Sequence, residues 1–321
     1  MAEEADNGRA RLNCHGDTER IVFWLPMLSS LARTAAILIA FALGALIPQA
    51  HAAAGAIPWL IMGMLFLVFL CTTWTRQSLH RSQFILLAAN LLMAFAGLAL
   101  GWVVGGRTVG LAGFFAGIAP TAAAAPVIIS FMRRDVGYVT GAFVLTNLAV
   151  AALLPLLLPA VLGSVDSTLF LRIAGSVILI IFAPLTLALL VRRLHPPALL
   201  WPSRLRDVSF YAWMCSLFLV MAKASHFLRT QPEVPVLIVA EIALVTLLIC
   251  AANFALGRWI GGRTYSAEAS QSLGQKNTSF TLLLALTYAS PLVALGPTCY
   301  ILWHNLWNSW QLHRTHRRPP R

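Results

Sequence analysis

The chain has 321 residues, 59% of them hydrophobic and only 11% charged, a balance that excludes a soluble domain and describes a protein dissolved in lipid. Its formal charge of +12 comes from arginines set singly or in pairs between apolar runs, with no basic face interleaved with aromatics. Nucleic acid is thereby excluded as a partner, and the charges read as topology signals. Cys14, Cys71, Cys215, Cys250 and Cys299 show no paired metal-type spacing and imply neither a metal centre nor a disulfide framework.

In chain order, residues 1–32 read as a cytosolic tail and a short interfacial segment. Glu3, Glu4, Asp6, Asp17 and Glu19 mix there with Arg9, Arg11 and Arg20, unlike the basic-then-apolar order of a signal peptide. Apolar segments follow at about 33–50, 57–74, 83–104, 109–132, 137–162, 169–193, 207–227, 234–256, 266–289 and 291–311. Most match the ~20 residues that a helix needs to cross a bilayer, and none shows the period-2 alternation of a barrel strand. The expected fold is an all-α membrane protein of ten transmembrane helices. Gaps after even-numbered spans carry Arg76 and Arg81, then Arg133 and Arg134, then Arg192, Arg193, Arg204 and Arg206, then Arg258 and Arg263; the other gaps carry fewer. The positive-inside rule therefore puts both termini, including the basic tail 312–321, in the cytosol. The expected location is a cell membrane, taken as a bacterial inner membrane. Short loops leave no room for a soluble catalytic domain.

Two spans do not read as ordinary helices. Span four, "GLAGFFAGIAPTAAAAPVIISFM", brackets Thr121 and a run of alanines between Pro120 and Pro126, and each proline removes a donor and clashes with the preceding turn. Span nine, "SAEASQSLGQKNTSFTLLLALTYAS", is polar in its first half and carries Gly274, so a break is expected near 273–277. The fourth and ninth of ten spans hold the same place in two halves of five, 33–162 and 169–311. An odd number of spans per half inverts one half against the other, the pattern of an inverted repeat. In carriers of that type the broken helices meet near the midplane and offer their half-helix ends to an ion or substrate. Simple kinking by proline or glycine is the competing reading.

One of only two lysines in the chain, Lys276, falls at the second break, among Ser272, Gln275, Asn277 and Thr278. Glu241, in the outer half of span eight, is the one carboxylate well inside an expected span and is a candidate partner for it; a fixed bridge that merely locks the two spans is the structural alternative. His304 and Asn305, one turn before Asn308 on span ten, either border a cytosol-facing cavity or pack against neighbours. Thr146 and Asn253 either line a polar route or bond an adjacent helix. Gly97, Gly101 and Gly105, then Gly113 and Gly117, recur every four residues and form a close-packing face.

The stretches "GIAPTAAAAPVI", "NLAVAALLPLLLPAVLG" and "SLGQKNTSFTLLLALTYASPLVALGPTCYILWHN" resemble the bile acid:sodium symporter family, over roughly residues 33–311. The resemblance implies a core of spans three to five and eight to ten, with spans four and nine crossing, and a panel of spans one, two, six and seven. Members carry organic anions, many with sodium, through a cavity between core and panel. This chain departs from the sodium-coupled pattern: Ser272 stands where those relatives have a glutamate, Lys276 where they have a glutamine, and Ala125 and Pro126 where they have a serine and an asparagine. Asn90, Asn147 and Asn277 match polar positions of the family.

The expected function is a secondary transporter of a small or steroid-like organic anion, working by alternating access. It is not sodium-coupled, because Lys276 replaces the cation site; no cofactor or metal is implied, and a proton is the candidate coupling ion. A sodium-coupled symporter with a degenerate site is the alternative. A channel and an intramembrane enzyme are the readings from other classes, and the enzyme lacks a His-Glu-x-x-His motif, paired intramembrane aspartates or a serine with a histidine base. The small side chains from Thr121 to Ala125 leave room at the crossing, and few arginines face it, which favours an apolar monoanion such as a steroid acid or a keto acid.

Overall fold

The computed structural model describes residues 26–71, 79–163, 167–230 and 237–316; the outer parts of the two expected tails lie outside them. Among the described residues the regular structure is helical: α1 (Pro26–Leu46), α2 (Ile57–Cys71), α3 (Arg81–Ile118), α4 (Ala124–Phe131), α5 (Val136–Leu162), α6 (Ser167–Val177), α7 (Ala183–Leu194), α8 (Trp201–Arg204), α9 (Arg206–Thr230), α10 (Leu237–Gly261), α11 (Ser266–Gly274), α12 (Thr278–Tyr288) and α13 (Pro291–His316). A 3-10 segment, Pro48–Ala56, joins α1 to α2, and a π-helical turn, Ile178–Phe182, makes α6 and α7 continuous. From Pro26 onward, the expected interfacial segment is instead the first turns of α1, because no helix-breaking residue separates it from the apolar run.

Among the described residues six helices are, by length and composition, long and apolar enough to cross a membrane: Pro48–Leu70, Arg81–Ile118, Val136–Leu162, Phe170–Leu194, Val208–Thr230 and Leu237–Gly261. Ten segments were expected, and the difference has physical causes. The third and the first part of the fourth are two limbs of one bent helix, the ninth is divided into pieces of nine and eleven residues, and α13 carries His304, Asn305, Asn308 and Gln311. Large apolar side chains point outward from these helices, Leu92, Trp102, Leu171 and Trp259 each more than half exposed. Such surfaces are consistent with a multi-pass membrane protein, whose outer face meets acyl chains rather than water.

α3 doubles back on itself. Gly105 and Gly106 leave the helical region, Gly106 at φ 74°, and limbs 81–104 and 107–118 lie side by side. The glycine line seen in the sequence is their contact: a Cβ on Gly97 would come 2.7 Å from the Gly113 carbonyl oxygen, and one on Gly117 would come 2.7 Å from Ala94 Cα. A second hairpin, α10 into α11, turns at Gly262 (φ 58°) and closes in the same way, with Gly257 and Gly261 against Ala269. Small residues let the backbones approach where side chains would hold them apart.

Stacked rings tie one end of the bundle together. Tyr138 lies on Tyr265 with centroids 4.5 Å apart, and His80 tilts against both, at 5.3 and 4.9 Å. The start of α3, the start of α5 and the turn before α11 therefore meet there, and Arg81, Arg133, Arg134 and Arg263 belong to those segments.

Candidate functional site

The two expected breaks are present, and they touch. The second limb of α3 stops at Ile118 because the ring of Pro120 forces Ala119 out of the helical region, to φ −52°, ψ 131°. The chain turns helical again at Ala124, leaving 119–123 outside any helix, with Ala123 in a turn at φ −62°, ψ −19°. Pro126, expected to bound the break, lies instead in the first turn of α4, where a missing N–H costs nothing because no carbonyl precedes it in the helix. The other break spans 275–277, with Gln275 extended at φ −86°, ψ 101°. Each half of span nine is too short to cross alone, about 14 and 16 Å against a hydrocarbon core of ~30 Å.

Thr121 and Lys276 face each other in an isolated antiparallel bridge. Ala122 N donates to Gln275 O at 2.8 Å, and Asn277 N donates to Pro120 O at 2.7 Å. Each break thus satisfies the other's main chain, which lipid could not do. Side chains complete the set. Thr121 N–H donates to Thr146 Oγ1 (3.1 Å), Asn147 Nδ2 donates to Thr121 O (2.9 Å), and the Thr121 hydroxyl donates to Ser272 O (2.6 Å). Asn277 Nδ2 reaches Asn147 Oδ1 at 3.5 Å, and Asn308 Nδ2 donates to Gln275 Oε1 at 2.6 Å.

Lys276 is buried. Its ammonium donates to Asn90 Oδ1 and, at 3.0 Å, to Gly117 O, while Asn90 Nδ2 donates to Ile118 O at 3.2 Å. Amine and amide therefore cap the last carbonyls of α3, the negative end of its dipole. The C-terminus of α11 is met likewise, the Tyr300 hydroxyl donating to Gly274 O at 2.9 Å while accepting from Asn253 Nδ2 at 3.0 Å. The N-termini differ: neither Ala123 before α4 nor Asn277 before α12 makes a side-chain cap.

Several expected residues gather here: Asn90, Pro120, Thr121, Asn147, Ser272, Gln275, Lys276 and Asn277, with Thr278 buried at the start of α12. Glu241 does not. It lies against Gly105 at the bend of α3, and from Gly105 to Asn90 along one limb is about 22 Å at ~1.5 Å of rise per residue. The expected pairing of Glu241 with Lys276 is therefore replaced by the bonds to Asn90 and Gly117. His304 packs edge-on to Tyr300 and leaves Nδ1 without a partner, and Asn305 bonds back to Ile301 O at 2.7 Å on its own helix. Pro126 belongs to α4 rather than to the crossing.

Sequence reasoning missed Tyr300, the Gly117 carbonyl and Glu268. Tyr300 is a lone hydroxyl in an apolar run, and a backbone carbonyl leaves no mark in composition. Glu268, in the first turn of α11, is 3% exposed; its Oε1 accepts from Asp135 N at 3.2 Å and its Oε2 has no partner. Among the described residues no three His, Cys, Asp or Glu side chains cluster as a metal site would require. No protein-family model and no curated protein matches this chain.

Proposed function

We propose that the protein is a secondary transporter of an apolar organic monoanion that works by alternating access and without sodium coupling. On this reading it has ten spans in two inverted repeats, 33–162 and 169–311, both termini cytosolic, and a core and a panel as in the bile acid:sodium symporter family. The matched hairpins, one turning at Gly106 and the other at Gly262, support the repeat.

The observation that carries the reading is the asymmetry of the crossing. Both C-terminal half-helix ends, which attract cations, are occupied by the protein's own donors: Lys276 and Asn90 on α3, Tyr300 on α11. Both N-terminal ends, which attract anions, lack a side-chain cap. The residues do not fit a sodium ion. It needs several close oxygens, and Asn90 Oδ1 and Gly117 O are held by an ammonium that would repel it. Lys276 thus acts as a resident cation, steadying the crossing and keeping its field attractive to an anion. Mere kinking of two spans would not require the breaks to bond each other.

Flux of a steroid acid and of a keto acid into liposomes tests this, with and without sodium and with and without a pH gradient. Uptake indifferent to sodium is expected; a strong sodium requirement overturns the substitution. The same amine can bind and release a proton, and a dependence of uptake on the pH gradient would make a proton the coupling ion. Lys276→Gln, monodisperse in detergent, is expected to lose uptake or become sodium-dependent, and unaltered uptake would remove Lys276 from the mechanism.

A further inference from the structure

A groove of about 520 Å³ runs between the bend of α3 and the C-terminus of α5. Its walls are largely apolar, with Phe95, Leu98, Trp102, Leu111 and Val161 among them, and among the described residues Arg107 is the one charged residue lining it. Phe95 and Trp102 are 42% and 60% exposed, so the wall is open to the surroundings of the bundle. Arg107 is fixed in place: one terminal nitrogen donates to Leu162 O at 2.5 Å, the last carbonyl of α5. A guanidinium has five N–H donors in a planar fork, and none of the others is bonded to protein among the described residues. Glu241, against Gly105 on the same bend, forms no ion pair with it.

Arg107 is also an exception in the charge pattern, because the gaps after odd-numbered spans are poor in arginine and orientation does not need it there. It sits where a helical hairpin turns, next to Gly106 at the end of the apolar limb 81–104. We propose that the groove binds an anionic phospholipid, its phosphate on the free edge of the Arg107 guanidinium and an acyl chain along Phe95, Leu98 and Leu111. Charge complementarity selects a phosphate, for which the arginine fork is shaped. The apolar walls select a lipid over a free ion, since an acyl chain packs against them and inorganic phosphate cannot. This site is separate from the crossing and does not depend on the transport reading.

Native mass spectrometry of the purified protein with phosphatidylglycerol, phosphatidylcholine or inorganic phosphate tests it. Retention of phosphatidylglycerol over phosphatidylcholine by about fivefold is expected, because both present a phosphate to Arg107 but the trimethylammonium of phosphatidylcholine cancels its charge, and one arginine's attraction to a net anionic lipid supplies that factor. Arg107→Gln should erase the preference and Arg107→Lys keep part of it. Because Arg107 also holds the end of α5, Ala160→Trp serves as a second probe, filling the groove while leaving the charge; it too should erase the preference. Equal retention of the two lipids, inorganic phosphate bound as well as phosphatidylglycerol, or a preference that survives both Arg107→Gln and Ala160→Trp would overturn the proposal.

Discussion

The two breaks at the crossing solve the same problem with opposite chemistry. The first, 119–123, offers a single polar side chain, Thr121, so its backbone groups are met largely from outside, by Thr146, Asn147, Gln275 and Asn277. The second, 275–277, is polar throughout and reaches out to Asn90, Gly117, Asn147 and Asn308. A proline can open a helix within a bilayer only where another segment brings the missing partners, and here the donating segment is itself a break. The pairing makes the crossing a single unit: damage to the polar side should unfold the apolar side as well.

The largest expected effect follows from that dependence. Lys276→Met would leave Asn90 Oδ1 and Gly117 O buried without a donor, a loss of about 3–5 kcal/mol that should appear as a large drop in unfolding temperature in detergent. Adding Asn90→Leu removes Asn90 Oδ1 but also the amide that donates to Ile118 O, so the double variant should lose less than the sum of the two single losses; a purely additive double variant would mean that the two groups do not interact. On the apolar side, Asn147→Leu strips the donor from Thr121 O and should cost about 1–3 kcal/mol, measured by the same melts.

The two hairpins allow a second comparison. Gly113→Ala in α3 and Gly257→Ala in α10 each drive a Cβ into facing backbone, and both should destabilise by about 1–3 kcal/mol. Gly175, whose Cβ would meet nothing within 4 Å, is the control, and its alanine variant should be neutral or slightly stabilising. Unequal losses in the two hairpins would argue against equivalent repeats. Smallest of all, Pro126→Ala should change stability by less than ~1 kcal/mol, because the first turn of α4 has no bond for proline to break. A large loss would give the first break to Pro126 rather than to Pro120.

Much of the site was legible beforehand because its signals are local. Pro120 acts on the residue before it, and the polar cluster from Ser272 to Thr278 stands out against apolar neighbours. Pro126 misled because a proline within an α-helix and a proline in its first turn look alike in a string of letters; only the point where α4 begins tells them apart. Glu241 misled for a different reason. Lying inside a span says nothing about height, and at the bend of α3 it is far from the crossing. Tyr300, the donor to Gly274, carried no signal at all.

By itself, then, the amino-acid sequence determined the helical, lipid-facing character of the chain, the places where two helices stop, and the glycine lines along which others close. Each depends on what a residue does to its immediate neighbours: the length of an apolar run, a missing N–H, a missing Cβ. Tertiary structure alone decided that Thr121 faces Lys276, that the ammonium rests on Gly117 and Asn90, and that the α-helix N-termini at the crossing stay uncapped. Those pairings join residues far apart in the chain, and they depend on the relative height and rotation of packed helices, which no periodicity along a single strand of residues encodes.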